Sequence, residues 1–392
     1  MIHFENTEVA FQQKCNRELK KAFWLFRMLA SPAMVGLGSF FTQAAIKMGL
    51  PFKWALKPTV FNHFCGGESI DACNDTIHKL AEANVQTILD YSAEGKEREE
   101  DFEYTKGQIM ATISKAAIEK NIPYAVFKPT GLSRFGLLEK VQSGQTLTDD
   151  EKKEFSKVKR RFEEICDHAA DLRVPVMVDS EESWIQDVVD NIVEDLMLTY
   201  NHSRPMVFNT LQMYRHDRLE YLESFVKKAR KKRHFSAFKL VRGAYMEKER
   251  ERARKMGYSS PIHPDKKATD KAYDDAVAFC LKNIKDVAVC VGTHNEISCA
   301  RAVQIMDEKQ ISKNHAHVSF AQLLGMSDHI SYNLAATGYN VCKYVPYGPI
   351  TTVIPYLIRR AEENTSVAGQ TTRELYLIKK ELKRRRNTKL HA

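Results

Sequence analysis

None of the eight cysteines (Cys15, Cys65, Cys73, Cys166, Cys280, Cys290, Cys299 and Cys342) belongs to a CxxC pair. That excludes a zinc ribbon or a dithiol redox motif and points to free thiols in a reducing compartment. No GxxxxGK, HExxH or C2H2 pattern occurs, so P-loop nucleotide hydrolysis and zinc-protease chemistry are poor readings. The 13 histidines show no ligand spacing, and no metal is expected. The Rossmann-like fragment GLGSF at 36–40 has Phe41 where the third Gly belongs and follows no strand; a dinucleotide bound here must sit outside a Rossmann turn. The most apolar stretch, 22–50, is broken by Arg27, Pro32 and Lys47 and so falls short of the ~20 apolar residues of a spanning helix. Helices packed on a protein core are expected there, with an interfacial membrane contact as the alternative. MIHFENTEVAFQQ has neither a secretory nor a transit pattern, and a cytoplasmic protein is expected.

What is present is a soluble composition with 43% apolar and 28% charged residues, long enough for two average domains or one large α/β barrel. The formal charge of +9 is local. The tail KKELKRRRNTK (379–389) has Glu381 as its only acid, and KKARKKR (227–233) adds a second cluster. Such runs favour an anionic cofactor, a membrane surface or simply solvent. No nucleic-acid partner is expected, because no nucleic-acid module is recognisable.

Residues 1–85 read as helices. Beyond them, short apolar runs alternate with helical patterns, the signature of βαβ units. The runs are TILDYSAEG (87–95), YAVFKPTG (124–131), PVMVDSEES (175–183), MVFNTLQMY (206–214), SAFKLVRGAY (236–245), VAVCVGTHN (287–295), HAHVSFAQLLG (315–325) and NVCKYVPYG (340–348). Helices are expected over Thr105–Asn121, Asp150–Leu172, Glu182–Tyr200, Arg218–Arg230, Thr269–Ile284 and Glu296–Glu308. Thr148 and Glu151 form a T-x-x-E capping box for the second of these. Eight strand–helix units predict a modified (β/α)8 TIM-like barrel, with a doubly wound open sheet as the alternative.

Each run begins apolar and ends in polar side chains. These are Asp90 and Glu94, Lys128, Asp179 and Glu181, Asn209 and Gln212, Lys239, Arg242 and Tyr245, Thr293 to Asn295, Gln322, then Tyr344 and Tyr347. In a parallel barrel all the C-terminal strand ends open on one face, where active sites lie. One such residue alone is more often a turn former or solvated side chain; eight coincident cases argue for a site.

Near the end, YLIRRAEEN (356–364) places Tyr356, Arg359, Arg360 and Glu363 at offsets 0, 3, 4 and 7 on one helical stripe. Paired guanidinium groups suit bidentate binding of a carboxylate or phosphate, while two solvated arginines paired with Glu363 are the bland alternative. Aromatic walls, an anion clamp and no Ser/His/Asp or Cys/His arrangement suit redox chemistry carried by a cofactor. The residues by themselves lead to a barrel enzyme acting on a small anionic substrate.

YLIRRAEEN resembles the C-terminal signature of proline dehydrogenases. VMVDSEESW, FNTLQMY, KLVRGAYMEKER, KATDKAY, THNE, QLLGM and YVPYGP follow the family's order and spacing, across about residues 85–370. The resemblance implies a barrel with FAD at the C-terminal strand ends and oxidation of L-proline to Δ1-pyrroline-5-carboxylate, hydride passing from proline C5 to flavin N5. A membrane quinone would then take the electrons, with peripheral membrane contact and a separate pyrroline-5-carboxylate dehydrogenase as partners. It implies substrate contacts from Arg359, Arg360, Tyr344, Tyr356 and Leu240, with Glu363 holding the arginines. Lys128, Asp179, Lys239 and Tyr245 are the expected catalytic group. Gln212, Arg242, Gly243, Ala244, Thr269, Thr293, His294 and Asn295 are the expected FAD contacts. Met246 departs from the Trp that bifunctional bacterial members carry beside the adenine.

Three rivals stay open. A 4-hydroxyproline dehydrogenase would be expected to carry a smaller residue at Tyr344, a Schiff-base barrel lyase would use Lys128 or Lys239, and a binding protein would hold flavin without turnover. The domain expectation is a helical segment at 1–85, the barrel at 86–370 and a basic helix or tail at 371–392.

Overall fold

The structure, a computed structural model, describes residues 2–31, 33–36, 38, 56–92, 95–366 and 370–390. Much of the apolar stretch 22–50, Glu94, and the side chain of Glu363 lie outside the described residues.

All eight runs contain a strand: Gln86–Tyr91 (β1), Tyr124–Phe127 (β2), Val176–Val178 (β3), Val207–Gln212 (β4), Ser236–Val241 (β5), Val287–Gly292 (β6), Val318–Leu323 (β7) and Val341–Tyr347 (β8). They pair in sequence order as parallel neighbours, and β8 pairs back onto β1, so the sheet closes into a barrel. Closure rules out the open doubly wound sheet. The closing seam sets Ile88 beside Tyr344 and Asp90 beside Pro346.

Among the described residues, the helices of eight residues or more are Asn16–Leu29 (α1), Asn74–Ala81 (α2), Glu99–Ile118 (α3), Phe135–Gln142 (α4), Asp149–Asp171 (α5), Ser183–Tyr200 (α6), Arg218–Lys231 (α7), Met246–Met256 (α8), Lys266–Lys282 (α9), Glu296–Glu308 (α10), Asp328–Ala336 (α11), Ile350–Ser366 (α12) and Gln370–Leu390 (α13). The six expected barrel helices are all present. The first begins at Glu99 rather than Thr105, because Glu99, Glu100 and Asp101 put negative charge on the positive end of the helix dipole. At α5 the capping box forms: Glu151 N–H donates to Thr148 Oγ1 (3.2 Å) and Thr148 N–H to Glu151 Oε2 (2.8 Å). Helices α4 and α8, inserted after β2 and β5, were not expected.

Two apolar layers follow from the period of two along each strand. Inward residues such as Ile88, Val126, Met177, Phe208, Ala237, Cys290 and Tyr344 fill the barrel. Outward residues such as Leu89, Phe127, Val178, Leu211, Phe238 and Val289 pack under the helices. Full burial of each large apolar side chain contributes about 1.5–3 kcal/mol.

Helix α12 follows β8. Leu25 and Leu29 of α1 pack against its Val353, Tyr356 and Leu357. The rest of the inner face of α1, Leu19, Ala22 and Phe26, packs on Leu377 and Ile378 of α13. These two helices run antiparallel, since Arg385 donates to the carbonyls of Phe11 (2.9 Å) and Lys14 (2.7 Å). Buried charge also ties the terminal segments to the barrel. Asp328 at the start of α11 pairs with Lys14, and at 2.9 Å with Lys343, a fully buried lysine of β8. Burial raises the Asp328 carboxyl, but the two lysines outweigh it and hold it below the usual carboxylate range.

Candidate active site

Alternation decides which polar strand-end residues face the barrel. Inward Ile88, Val126, Met177 and Ala237 turn Asp90, Lys128, Asp179 and Lys239 inward two residues later. These four and Tyr344 form one connected group at the C-terminal mouth. Lys128 Nζ lies 2.7 Å from Asp90 Oδ2 and 3.5 Å from Asp179 Oδ2. Lys239 donates to Asp179 Oδ1. Tyr344 Oη donates to Asp179 Oδ2 (2.6 Å), and Lys239 Nζ lies 4.8 Å from the centre of the Tyr344 ring.

The two carboxyls differ. Burial pushes Asp179 up, but Lys239 and Lys128 outweigh it, so it lies below its ordinary value. Asp90 is raised, because burial exceeds the pull of Lys128 and the negative charge of Asp179 adds to the rise. Ser92 Oγ donates to Asp90 Oδ2 at 2.9 Å, while buried Asp90 Oδ1 has no hydrogen-bond partner among the described residues. Burial, and then the charge of Asp179, pushes the Tyr344 phenol well up, which keeps it a proton donor. In the sequence Asp90 is one polar strand end among several, and no motif assigns it a role. The available signal was its place as the one charged residue of β1, in register with the inward apolar set.

Not every polar strand end joins this group. Asn209 donates to Asp190 of α6, Gln322 Nε2 to the Thr293 carbonyl, and Tyr347 Oη bonds Thr112 of α3. Leu240, expected on the substrate wall, is corrected by the same alternation. It is fully buried in the outward layer with Phe238 and Val289, and so backs Lys239 rather than facing the mouth.

The ends of β4 to β6 hold the other expected residues. Gln212 bridges two loops: its Nε2 donates to the Glu181 carbonyl (2.6 Å) and its Oε1 accepts from Ala244 N–H (3.1 Å). Gly243 has φ +130°, and a Cβ there would lie 2.6 Å from the Tyr214 ring, so only glycine fits. The Arg242 guanidinium donates to Asp270 Oδ1 (2.7 Å), Thr293 Oγ1 (2.6 Å) and Ser298 Oγ (2.9 Å), above the Tyr273 ring at 4.4 Å. Thr269 precedes Asp270 on α9 and donates to the Asp265 carbonyl. Asn295 Oδ1 caps α10 through Ile297 N–H and Ser298 N–H. His294 Nδ1 lies 2.9 Å from Ser327 Oγ, and its imidazole is lowered to about 3 by burial and then by Lys343 and Arg360.

Helix α12 brings the stripe to this mouth. Tyr356 is buried, and the Arg360 guanidinium lies 5.2 Å from its ring centre. Successive residues on a helix diverge by about 100°. Arg360 accordingly is buried beside Tyr356, whereas Arg359 lines a groove of about 660 Å³ with Tyr245, Glu181, Trp184 and Arg252. Met246 opens α8 and is 42% exposed.

The proline dehydrogenase family model matches residues 73–373. Proline dehydrogenase 1, mitochondrial, of Caenorhabditis elegans is 41% identical over 251 residues, covering 62% of this chain and 40% of that protein. Hydroxyproline dehydrogenase of Xenopus laevis is 30% identical over 412 residues, covering 96% of this chain and 88% of that protein. Among solved structures, proline utilization A (PutA) from Bdellovibrio bacteriovorus, inactivated by N-propargylglycine, superposes with a TM-score of 0.71 at 21% identity. It covers 92% of this chain, which spans 38% of the PutA chain, and that likeness supports the barrel fold. The extent of the family match, over a closed barrel with its polar group at the C-terminal mouth, places this chain in the proline dehydrogenase family.

Proposed function

We propose that the chain oxidises L-proline to Δ1-pyrroline-5-carboxylate using bound FAD and passes the electrons to a membrane quinone. The observation that carries this reading is the Asp90–Lys128–Asp179–Lys239 group around Tyr344, beneath the helix that bears Tyr356, Arg359 and Arg360.

The residues fit a flavin dinucleotide. Arg242 offers positive charge for a pyrophosphate. Gly243 lets the backbone run where a side chain would meet Tyr214. Thr210 Oγ1, on the inward-facing side of β4 in register with Lys239, is buried without a hydrogen-bond partner among the described residues, as a site awaiting a polar ring would leave it. Gln212, Ala244, Thr269, Thr293, His294 and Asn295 complete the holding set. When bound, FAD supplies the acceptor for the hydride leaving proline C5.

The chain's own part is to bind, orient and set charge. Arg359 and Arg360 hold the substrate carboxylate, while Tyr344, Tyr356 and Tyr245 enclose its ring. Lys128 and Lys239 face Asp90 and Asp179, and burial drives Asp90 toward its neutral form, which leaves an excess of positive charge there. That surplus of positive charge disfavours a substrate ammonium and favours the neutral amine, from whose adjacent carbon a hydride leaves. Fixing the reacting carbon by its carboxylate supplies orientation.

A 4-hydroxyproline substrate is the second reading, prompted by the Xenopus relative. Against it, the Tyr344 hydroxyl is anchored on Asp179 and its ring fills the barrel mouth. A Schiff-base lyase loses support because both lysines are held in ion pairs with aspartates. Residues 86–370 are the catalytic unit, flanked by accessory helices, in a cytoplasmic protein peripheral on the membrane. A separate pyrroline-5-carboxylate dehydrogenase takes the product.

The test is the visible spectrum of the purified protein before and after anaerobic L-proline, with trans-4-hydroxy-L-proline in parallel. Bleaching of a flavin band by proline is expected, and Tyr344→Ser should move the preference toward hydroxyproline. A colourless protein that FAD cannot reconstitute refutes the reading; bleaching mainly by hydroxyproline in the wild type transfers it to the second.

A further inference from the structure

Helices α1 and α13 sort their charges by face. Arg17, Lys20, Lys21 and Arg27 of α1 and Lys379, Lys383 and Arg386 of α13 are exposed. None of the seven forms an ion pair among the described residues, although Lys379 lies over the Phe23 ring of α1 (5.5 Å) and so joins the two stripes. The acids of the same helices turn away from this face: Glu374 and Glu381 are buried, and Glu18 is held by Lys79. A face that merely meets solvent mixes both signs.

Among these cations stand large apolar side chains. Trp24 is 58% exposed, Tyr376 51% and Met28 41%, with the Arg27 guanidinium 5.2 Å from the Trp24 ring centre. Exposed Trp and Tyr beside Lys and Arg match the headgroup region of a bilayer, where the rings sit at the boundary and long basic chains reach phosphate. A nucleic-acid surface calls for polar readers of phosphate and base, which Trp24 and Met28 are not. No described helix is long and apolar enough to cross a membrane, so such contact would be peripheral. The platform is also placed for use: the opposite face of α1 packs on α12, the helix carrying Tyr356, Arg359 and Arg360.

We infer that the outer face of the antiparallel α1–α13 pair docks on an anionic phospholipid surface. The inference deepens the proposed quinone-linked reaction and rests on it for its purpose, since docking there brings the barrel mouth to the bilayer that holds the oxidant.

Flotation of the full chain with vesicles of phosphatidylcholine alone, and with the same vesicles enriched in phosphatidylglycerol, tests it. Binding to the anionic vesicles only, released by salt, is expected. Neutralising Lys20→Gln, Lys21→Gln and Lys383→Gln together should weaken partitioning roughly a hundredfold. Proline turnover with a soluble dye acceptor should stay at the wild-type level. Trp24→Ser should weaken binding without removing its salt dependence. Equal binding to both vesicle types, wild-type binding by the triple variant, or tighter capture by duplex DNA than by anionic vesicles would overturn the inference. Loss of dye-coupled proline turnover in the wild type, with vesicle binding intact, would instead sink the proposed reaction and leave the docking face standing.

Discussion

Replacing Asp179 by Asn strikes the centre of the mouth. Its carboxylate accepts from Lys239 and Tyr344 and lies 3.5 Å from Lys128 Nζ. Without it, two buried ammonium groups share Asp90 alone, and Tyr344 Oη loses a charged acceptor. Breaking a buried ion pair from one side costs about 3–5 kcal/mol, because the remaining charge stays buried. At about 2.1 cal/mol/K per residue, a chain of 392 residues unfolds with an entropy near 0.8 kcal/mol/K, so the midpoint should fall by about 4–6 °C. Asp179 is depressed in the folded state, so its contribution is present above the unfolded carboxylate value and is lost as pH falls through the folded one. Variant and wild type should therefore differ at neutral pH and converge in acid. The activity expectation is a fall in kcat/KM of about tenfold to a hundredfold, from losing a charge-assisted hydrogen bond of about 1.5–3 kcal/mol. Adding Lys239→Met removes the orphaned ammonium and should restore part of the stability but none of the activity. Thermal melts of wild type, both single variants and the double variant complete the cycle. A wild-type midpoint for Asp179→Asn, or a double variant as unstable as the sum of the singles, would refute this electrostatic account.

Gly243→Ala should cost about 2–5 kcal/mol through left-handed strain and the clash with Tyr214, and should weaken FAD retention; titration of the apoprotein with FAD checks this, and wild-type affinity would contradict it. His63 hydrogen-bonds the Gly325 carbonyl (2.9 Å) and is lowered to about 4 by burial and then by Lys14. The unfolded chain takes up that proton first, so stability falls as pH drops from about 6.5 toward 4, by about 2 kcal/mol at pH 5. Urea midpoints at both ends of that window should show a flatter pH slope in His63→Gln; equal slopes would show that His63 is not responsible.

Local rules made much of this protein legible in its sequence. Alternation of apolar runs with helical periods predicts eight parallel units, because hydrogen bonding and side-chain direction repeat over two or 3.6 residues wherever the chain lies. The same local logic predicts the Thr148–Glu151 cap and gathers the polar strand ends on one face of the barrel. What the sequence could not settle is which of those residues meet. Lys128 finds Asp90 and Asp179 because β1, β2 and β3 are neighbours, and Tyr344 joins them because β8 closes onto β1, more than 250 residues earlier. Leu240 carries a family motif, yet faces away from the mouth because it follows an inward Lys239. Arg359 and Arg360 are adjacent in the chain, but the helix turn sends one toward the groove beside Tyr245 and buries the other beside Tyr356. The pairing of α1 with α13, and the basic aromatic face it leaves outside, joins segments some 350 residues apart. Patterns within a few residues are set by backbone geometry, while contacts across the chain are chosen only when burial of the whole core fixes which surfaces touch.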